Sequence, residues 1–532
     1  MHRALEITEI VSSIVSECQS DPWSSFGGLA ALARCQIFHE QAMDLLWKDQ
    51  VTILNLIRCL PDDVLTVKNQ GHSYELIFHR NPHPSDWTRV LYYGRRVRSC
   101  GIDHTLGGGV KKVFQVLRTR ASGDYLLPNL VELRWRPVYS IESYTDIDLF
   151  LGPMVSSISI FWLSAPTSVL DTIVRTRPSI STVRIYDIIR GETLPEQLAL
   201  QSRFSSFACS LPNLTSLSLD ICVDTEAILH LGKVPHLKRL VLGPPAHPRS
   251  SLVPSTLPTD LFPDLEIFSF TGKDEGLVYL TTLVRSWANP PLESFRIVLR
   301  CKSHPTSASV NELLCAVSEH CSHDALQRIN LGIHVPADQG RNNERVALTG
   351  RAIQHLLPCS FFTDVTFHLS AGYRVDDHDI LMMAMAWPKL RRLRFTGNAD
   401  RQSCDASLQA LISLAKHCRD LNILVLTFDA TRIPPLPPHE QLLYPPLTTF
   451  DVGDSLIVDA QGVAGFIYTL FPSISELETS LENDDLNDLE DRSPEFAERL
   501  VCHKVWKAVE ERLRDFQAIE LASEHEGRTI SS

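Results

Sequence analysis

Two clusters of cysteine and histidine are the part of this sequence that comes nearest to a metal-ligand set. Cys301 and His304 are separated by two residues. A second cluster with His320, Cys321 and His323 follows. Thiolate and imidazole groups in two spaced pairs are the usual ligands of zinc. A Cys-x-x-His first half is uncommon, and a helix-like segment fills the interval. We therefore expect ordinary surface and core residues of a repeat here, and no metal.

Two other segments resemble functional loops only in part. The run Gly107–Lys112 is rich in glycine and lysine but lacks the Gly-Lys-Ser/Thr ending of a phosphate-binding loop. The segment Gly71–Glu75 approaches Gly-x-Ser-x-Gly, but Glu75 stands where the last glycine is needed. The sequence therefore predicts no catalytic residue, no cofactor and no enzymatic activity.

Charge and cysteine usage narrow the function further. The 532-residue chain has 63 acidic and 50 basic side chains, a formal net charge of −13. This argues against a general binder of nucleic acid, which needs a basic face. The 13 cysteines are scattered and odd in number, which indicates reduced thiols and hence the cytoplasm or the nucleus. No uncharged apolar run reaches the ~18 residues of a membrane span, so neither nucleic acid nor membrane is an expected partner.

A short recurring phrase defines the organisation of the chain. It has the form apolar-Pro-x-Leu-x-x-Leu-x-apolar. Its clearest copies are Leu211–Leu219, Val234–Leu242, Phe262–Phe270 and Trp387–Phe395. Proline cannot continue a helix, and apolar residues two apart face the same side of a strand. Each copy therefore predicts a turn from a helix into a short strand.

The spacing of the phrase is that of a leucine-rich repeat. The first leucines of four copies, Leu214, Leu237, Leu265 and Leu292, follow one another at intervals in the twenties, and such repeats measure ~20–29 residues. Stretches with helical periodicity lie between the copies. The predicted fold is therefore α/β, with an irregular leucine-rich-repeat-like solenoid over residues 126–480.

An ordinary α/β fold remains the alternative to a solenoid. The segments Thr145–Ser202 and Arg300–Ala386 do not align with the phrase, and irregular repeats resemble βαβ units.

The first fifty residues follow a different pattern. Ile7, Ile10, Val11, Ile14 and Val15 recur with the periodicity of one helix face. Two more apolar clusters follow, which predicts three short helices. Their shared core is so small that such a module usually needs a partner for stability.

This N-terminal pattern resembles an F-box. The resemblance is carried by Leu5–Ile10 with Ile14, by Leu29–Cys35, and by Phe38 with Leu45–Trp47. Tyr92–Ser99 and Tyr125–Leu130 also look like segments of one family. That family is the large fungal, mushroom-type F-box proteins with a leucine-rich-repeat-like C-terminal region.

The resemblance implies which partners the chain binds and which part of the chain binds each of them. In that family the F-box docks on the Skp-family adaptor of a Skp–cullin–F-box ubiquitin ligase, and so on a cullin. The solenoid would hold a protein substrate, and the chemistry would belong to other subunits. The residues that the resemblance assigns to adaptor contacts or to the internal core are Ile7, Ile10, Ile14, Leu29, Leu32, Cys35, Phe38, Leu46 and Trp47. The alternative is an interaction scaffold without a ligase role, in which the N-terminal helices only close the end of the array.

The predicted boundaries follow from these patterns. They are an F-box-like helical module at 1–50, a joining segment of first helices and strands at 51–125, the solenoid at 126–480, an acidic linker at 481–493, a C-terminal capping helix at 494–522 and a disordered tail at 523–532.

Two further segments could recruit partners. Tyr92 and Tyr93 are surrounded by arginines, which predicts a solvated strand or, alternatively, contact with an acidic patch on a protein. Arg432–Pro438 fits a polyproline ligand with an arginine anchor, although proline-rich connectors are also expected between repeats.

Overall fold

The structure is a computed structural model. It describes residues 8–17, 25–71, 74–103, 110–120, 125–136, 141–162, 167–177, 179–186, 193–244, 257–273, 276–302, 304–335, 348–397, 405–481 and 494–530. The chain divides into two compact units, Met1–Leu237 and Lys238–Ser532. The acidic segment predicted as a linker, apart from Leu481, lies outside the described residues, as does the glycine run 107–109.

The first unit contains short helices and, mostly, parallel strands. Its helices are α1 (Thr8–Glu17), α2 (Ser25–Leu32), α3 (His39–Lys48), α4 (Leu54–Ile57), α5 (Thr88–Gly94), α6 (Val110–Arg120), α7 (Ser168–Thr176), α8 (Leu194–Cys209) and α9 (Thr225–Gly232). Its strands are β1 (Asp49–Gln50), β2 (Leu65–Asn69), β3 (Tyr74–Phe78), β4 (Ser99–Ile102), β5 (Glu132–Trp135), β6 (Ser157–Phe161), β7 (Thr182–Tyr186) and β8 (Ser216–Leu219).

A parallel sheet organises this unit. Its strands lie in the order β1-β4-β5-β6-β7-β8, and β2 and β3 form a separate antiparallel pair. Strands whose order in the sheet follows the chain, joined mostly by helices, are the pattern of stacked βα units.

The second unit repeats this arrangement. Its strands are β9 (Arg239–Leu242), β10 (Ile267–Gly272), β11 (Ser294–Arg300), β12 (Arg328–His334), β13 (Leu348–Thr349), β14 (Asp364–Leu369), β15 (Tyr373–Arg374), β16 (Arg392–Thr396), β17 (Ile423–Val425), β18 (Asp429–Ala430), β19 (Thr449–Asp451), β20 (Leu456–Ile457) and β21 (Glu476–Glu478). Its helices are α10 (Gly276–Val284), α11 (Ser307–His320), α12 (Gly350–Gln354), α13 (Asp377–Ala386), α14 (Leu408–His417), α15 (Ala460–Leu470) and α16 (Pro494–Ile530).

The sheet of the second unit is also parallel. Its order is β9-β10-β11-β12-β14-β16-β17-β19-β21. Two short parallel pairs, β13 with β15 and β18 with β20, lie beside it. Helices that follow one another in the chain pack together, as α10 does on α11 and α13 on α14. The mixed α/β structure with its large parallel sheet is consistent with a solenoid-like fold.

The recurring phrase forms the turn and strand that its sequence predicts. Leu214, Leu237, Leu265 and Leu390 are at most 1% exposed, and each lies just before a strand. In β8 the two later apolar residues, Leu217 and Leu219, are fully buried as well. The phrase therefore marks the core-facing side of the sheet.

The observed boundaries differ from the predicted ones at both ends. The parallel sheet begins at Asp49, because β1 pairs with β4, whereas the solenoid was expected from residue 126. The last helix continues to Ile530 instead of ending at 522. The added segment, Ser523–Ile530, contains two glutamates, which favour helix, and no proline.

Candidate functional site

The N-terminal helices share one small apolar core. Val11 and Val15 of α1, Leu29 of α2 and Ala42 of α3 are its buried members. Because α1 places these valines on one face, the residues preceding each valine lie outside the core. Ile10 and Ile14 are 37% and 39% exposed. α1 therefore carries two apolar side chains outside this core, with no cover among the described residues.

The predicted adaptor-binding residues fall into distinct environments. Leu29 is buried in the core. Three others are half-buried against this core, namely Leu32, Phe38 and Leu46. Cys35 is exposed, and Ile7 lies outside the described residues. Of the described residues in the predicted set, Ile10, Ile14 and Cys35 are the ones most open to a partner.

Trp47 connects this helical module to the sheet-bearing part of the same unit. Its ring stacks on Tyr93 of α5, with centroids 4.3 Å apart and planes 12° from parallel. Arg96, just after α5, forms ion pairs with Glu40 and with Asp44 of α3, the latter at 2.9 Å. The Arg96 guanidinium also lies 4.4 Å from the ring centre of Tyr92.

These contacts correct the interpretation of the Tyr92–Tyr93 segment. It is helical, not a strand, because the apolar residues Val90 and Tyr93 lie three apart on the face that packs inward. The acidic groups that face Arg96 belong to α3 of the same chain, so an external acidic partner is not needed to explain this arginine.

The residues that could have formed a metal site do not come together. Among the described residues, no group of three or more His, Cys, Asp or Glu side chains could hold a metal ion. Cys301 and Cys321 are buried, and the His323 ring nitrogen lies 2.7 Å from the Ser318 carbonyl.

The buried thiols are not activated for nucleophilic chemistry. Burial raises the pKa of Cys100, Cys359 and Cys418 to about 12. A thiol with so high a pKa stays protonated near neutral pH and is a poor nucleophile.

The proline-rich segment Arg432–Pro438 lies at the surface of the second unit. Ile433 and Leu436 are 41% and 43% exposed. The segment runs from the turn after β18 to a short 3-10 helix at His439–Gln441.

The open side of each sheet is a second candidate surface. In β11, Phe295 and Ile297 are buried while Arg296 is exposed, so alternate side chains point away from the core. A row of such positions crosses each sheet, and its side chains are not needed for packing in the core.

The fold and these surfaces define the class as an α/β protein of solenoid-like units that carries a small helical module. No protein-family model matches the chain, and no curated protein matches it either. A solved structure described as the Rad7 and Elc1 complex in yeast shares 15% sequence identity, over 66% of this chain and 75% of that one, at a TM-score of 0.36. A likeness this weak supports no statement about function. Among the helices of the described residues, none combines the length and apolar character needed to cross a bilayer.

Proposed function

We propose that this chain is the non-enzymatic substrate receptor of a Skp–cullin–F-box type ubiquitin ligase, acting in the cytoplasm or the nucleus. The N-terminal helical module docks on a Skp-family adaptor, and through it on a cullin. An open sheet face holds a protein substrate. The chemistry is supplied by other subunits.

The observation that carries this proposal is the outward face of α1. Ile10 and Ile14 lie one helical turn apart and are 37% and 39% exposed. Fully burying a side chain of this kind is worth about 1.5–3 kcal/mol, so a partner that covers both gains a substantial part of that free energy. The F-box resemblance in the same residues supports a Skp-family adaptor as this partner.

The sheet faces supply the second half of the proposal. Parallel strands stacked in chain order present a broad surface of side chains that are not used in packing, as repeat proteins do at their binding surfaces. In the described residues of the second unit, this surface extends over nine strands.

Replacing Ile10 with glutamate tests the adaptor contact. Full-length protein is co-expressed with a Skp-family adaptor, and the amount that co-purifies is measured. We expect Ile10→Glu to abolish capture, because the charge would have to be buried at the interface. Val458→Glu is the matched control, since Val458 is 73% exposed and lies in the other unit.

Two results would reject the proposal. Failure of the wild-type protein to capture the adaptor removes the ligase role. Capture that Ile10→Glu leaves undiminished removes the α1 contact face. Circular dichroism of each variant shows that the fold is retained.

A second candidate function is an interaction scaffold in which the module only covers the end of the array. The Trp47–Tyr93 stack and the Arg96 ion pairs favour it, since they bind α3 to α5. The receptor and the scaffold functions are distinguished by the thermal stability and the adaptor capture of a chain that begins at Lys48. The cap role predicts that this chain unfolds at a clearly lower temperature, and equal stability together with lost adaptor capture supports the receptor.

A further inference from the structure

Four neighbouring strands of the second unit present a set of polar side chains on one face. In β11, β12, β14 and β16, alternate residues are buried, as the pattern in β11 illustrates. The intervening residues point away from the helices. The register aligns Arg296 with Asn330, Asn330 with Thr366, and Thr366 with Arg394 in a single row.

This face, here called the basic face, carries a strong excess of positive charge. Its ionisable side chains are Arg296, Arg300, Arg328, Arg392, Arg394, His334, His368 and Asp364. Five arginines and two histidines therefore share the outward positions of these strands with one carboxylate. The excess is local, because the whole chain has a net charge of −13.

The single carboxylate of the basic face, Asp364, is already paired with an arginine. Asp364 accepts two hydrogen bonds from Arg392, one of them from Nη2 at 2.7 Å. Within the described residues, the other four guanidinium groups have no ion-pair partner. Arg296, Arg300 and Arg328 are exposed, and Arg394 is half-buried. Like charges placed close together repel one another. A bound anionic ligand would therefore reduce the electrostatic repulsion among these arginines.

The arginines are spread out instead of converging on one point. Arg296 and Arg394 lie on strands three positions apart, which is about 14 Å at ~4.8 Å per strand. Arg296 and Arg300 are separated along β11 by about 13 Å at ~3.3 Å per residue. A compact anion could reach one or two of them, whereas an extended chain with several acidic side chains could reach all.

The chemistry of the surface favours a peptide over nucleic acid. Binding of a single strand relies on aromatic side chains on which bases stack. The outward positions of these four strands include no Phe, Tyr or Trp. Farther along the same sheet the outward residues are acidic, with Asp451, Glu476 and Glu478 on β19 and β21, so any polyanion is disfavoured on those strands.

We infer that the basic face of the second unit binds an extended protein segment rich in aspartate and glutamate. The segment crosses β11 to β16, and each arginine can pair with a carboxylate through its forked donors. The inference rests on the proposed function, since it assigns the class of substrate that the receptor would hold.

Fluorescence anisotropy of full-length protein tests this inference directly. The probe is a labelled peptide of alternating Glu and Ser, and its counterpart has Gln in place of Glu. The variant combines Arg296→Gln, Arg328→Gln and Arg394→Gln. The matched control makes the same change at Arg351, Arg419 and Arg512, which are exposed and lie outside the basic face.

We expect the triple variant to lose about tenfold or more in affinity for the acidic peptide, and the control about twofold or less. Binding of the wild-type protein should weaken with added salt, because exposed charges are screened over ~8 Å at physiological ionic strength. The Gln peptide should bind weakly to every form.

Three results would overturn the inference. They are equal affinity of the two triple variants, equal binding of the Glu and Gln peptides, and tighter binding of a single-stranded oligonucleotide than of the acidic peptide. Adaptor capture is measured on the same variants. If the basic-face triple variant loses peptide binding but still captures the adaptor, the result supports the basic face. Ile10→Glu is expected to lose adaptor capture and to keep peptide binding, so failure of the two proposals can be told apart.

Discussion

The histidines of the basic face are electrostatically coupled. The rings of His334 and His368 lie 4.5 Å apart at their centres. Partial burial, and then the neighbouring His334, lower the pKa of His368 from its ordinary value of 6.5. The charged form is disfavoured for both reasons, since a second imidazolium would be placed beside the first in a partly desolvated site.

This coupling has a consequence for stability. A lowered pKa means that the unfolded chain binds a proton at His368 more readily than the folded protein does. The stabilisation from the neutral ring is therefore complete above pH 6.5 and is lost as the pH falls through 6.5 toward the lower pKa of the folded state.

The exchange His334→Asn tests the coupling. We expect the pKa of His368 to rise but to stay below 6.5, because burial is the larger of the two causes. Histidine resonances followed by NMR during a pH titration report this value. His355→Asn, on a ring outside this pair, should leave it unchanged. A pKa of His368 that is the same in His334→Asn and wild type would show that the two rings do not interact.

At the scale of the element, the phrase predicted strands well because it combines a helix-breaking proline with apolar spacing. A phrase defined by leucine alone misses strands in which other apolar residues take the same positions. The unaligned region Thr145–Ser202 contains Pro153-Met154-Val155 followed by Ile158 and Ile160, with the same spacing. Val155, Ile158 and Ile160 are buried, and the two isoleucines lie in β6. Isoleucine and valine replace leucine here, and β-branched side chains suit a strand equally well.

The second unaligned region differs for another reason. Phe362, Val365 and Phe367 keep the spacing of the phrase and are buried, but Ser360 stands where the phrase has its proline, and the preceding proline is Pro358. Pro358 follows the preceding helix but lies two residues too early for the phrase, so the proline and the apolar residues do not match it together. Spacing of apolar residues, whatever their type, is thus the more general sign of a repeat in this chain.

The sequence of the N-terminal helical module does not decide which residues of α1 face its core. The periodicity of α1 identifies an apolar helix, but Ile10 and Val11 are equally apolar. Which of them faces the core depends on where α2 and α3 pack, and that is a tertiary property. The stack of Trp47 on Tyr93 joins residues 46 positions apart in the chain, and no local pattern indicates it.

At the scale of the whole molecule, net charge and local charge have opposite signs. A net charge of −13 argued against a general binder of nucleic acid but left room for a local basic patch. The outward strand positions that carry the basic face alternate with buried residues, so their charges become a surface only when β11, β12, β14 and β16 align. The overall composition counts all charges together, so it does not reveal this local cluster of arginines.

Repeat arrays also need their ends covered, because a terminal repeat lacks a neighbour on one side. In the second unit α16 packs on α15. Trp506 is 1% exposed, donates a hydrogen bond to the Ser455 carbonyl at 2.9 Å, and lies edge-on to Phe428. The indole, the largest side chain available on this part of the helix, thus fills the core.

Removing α16 should therefore destabilise the second unit. A chain that ends at Leu481 loses the buried side chains Trp506, Val509 and Leu513, each worth about 1.5–3 kcal/mol. We expect its thermal midpoint to fall by about 10 °C or more, as measured by differential scanning calorimetry. A chain that ends at Ala518 keeps these residues and also Gln517, which donates hydrogen bonds to the carbonyls of Pro472 and Ile474. That shorter truncation should unfold at the wild-type temperature. Equal midpoints for the two truncations would mean that α16 does not cover the end of the array.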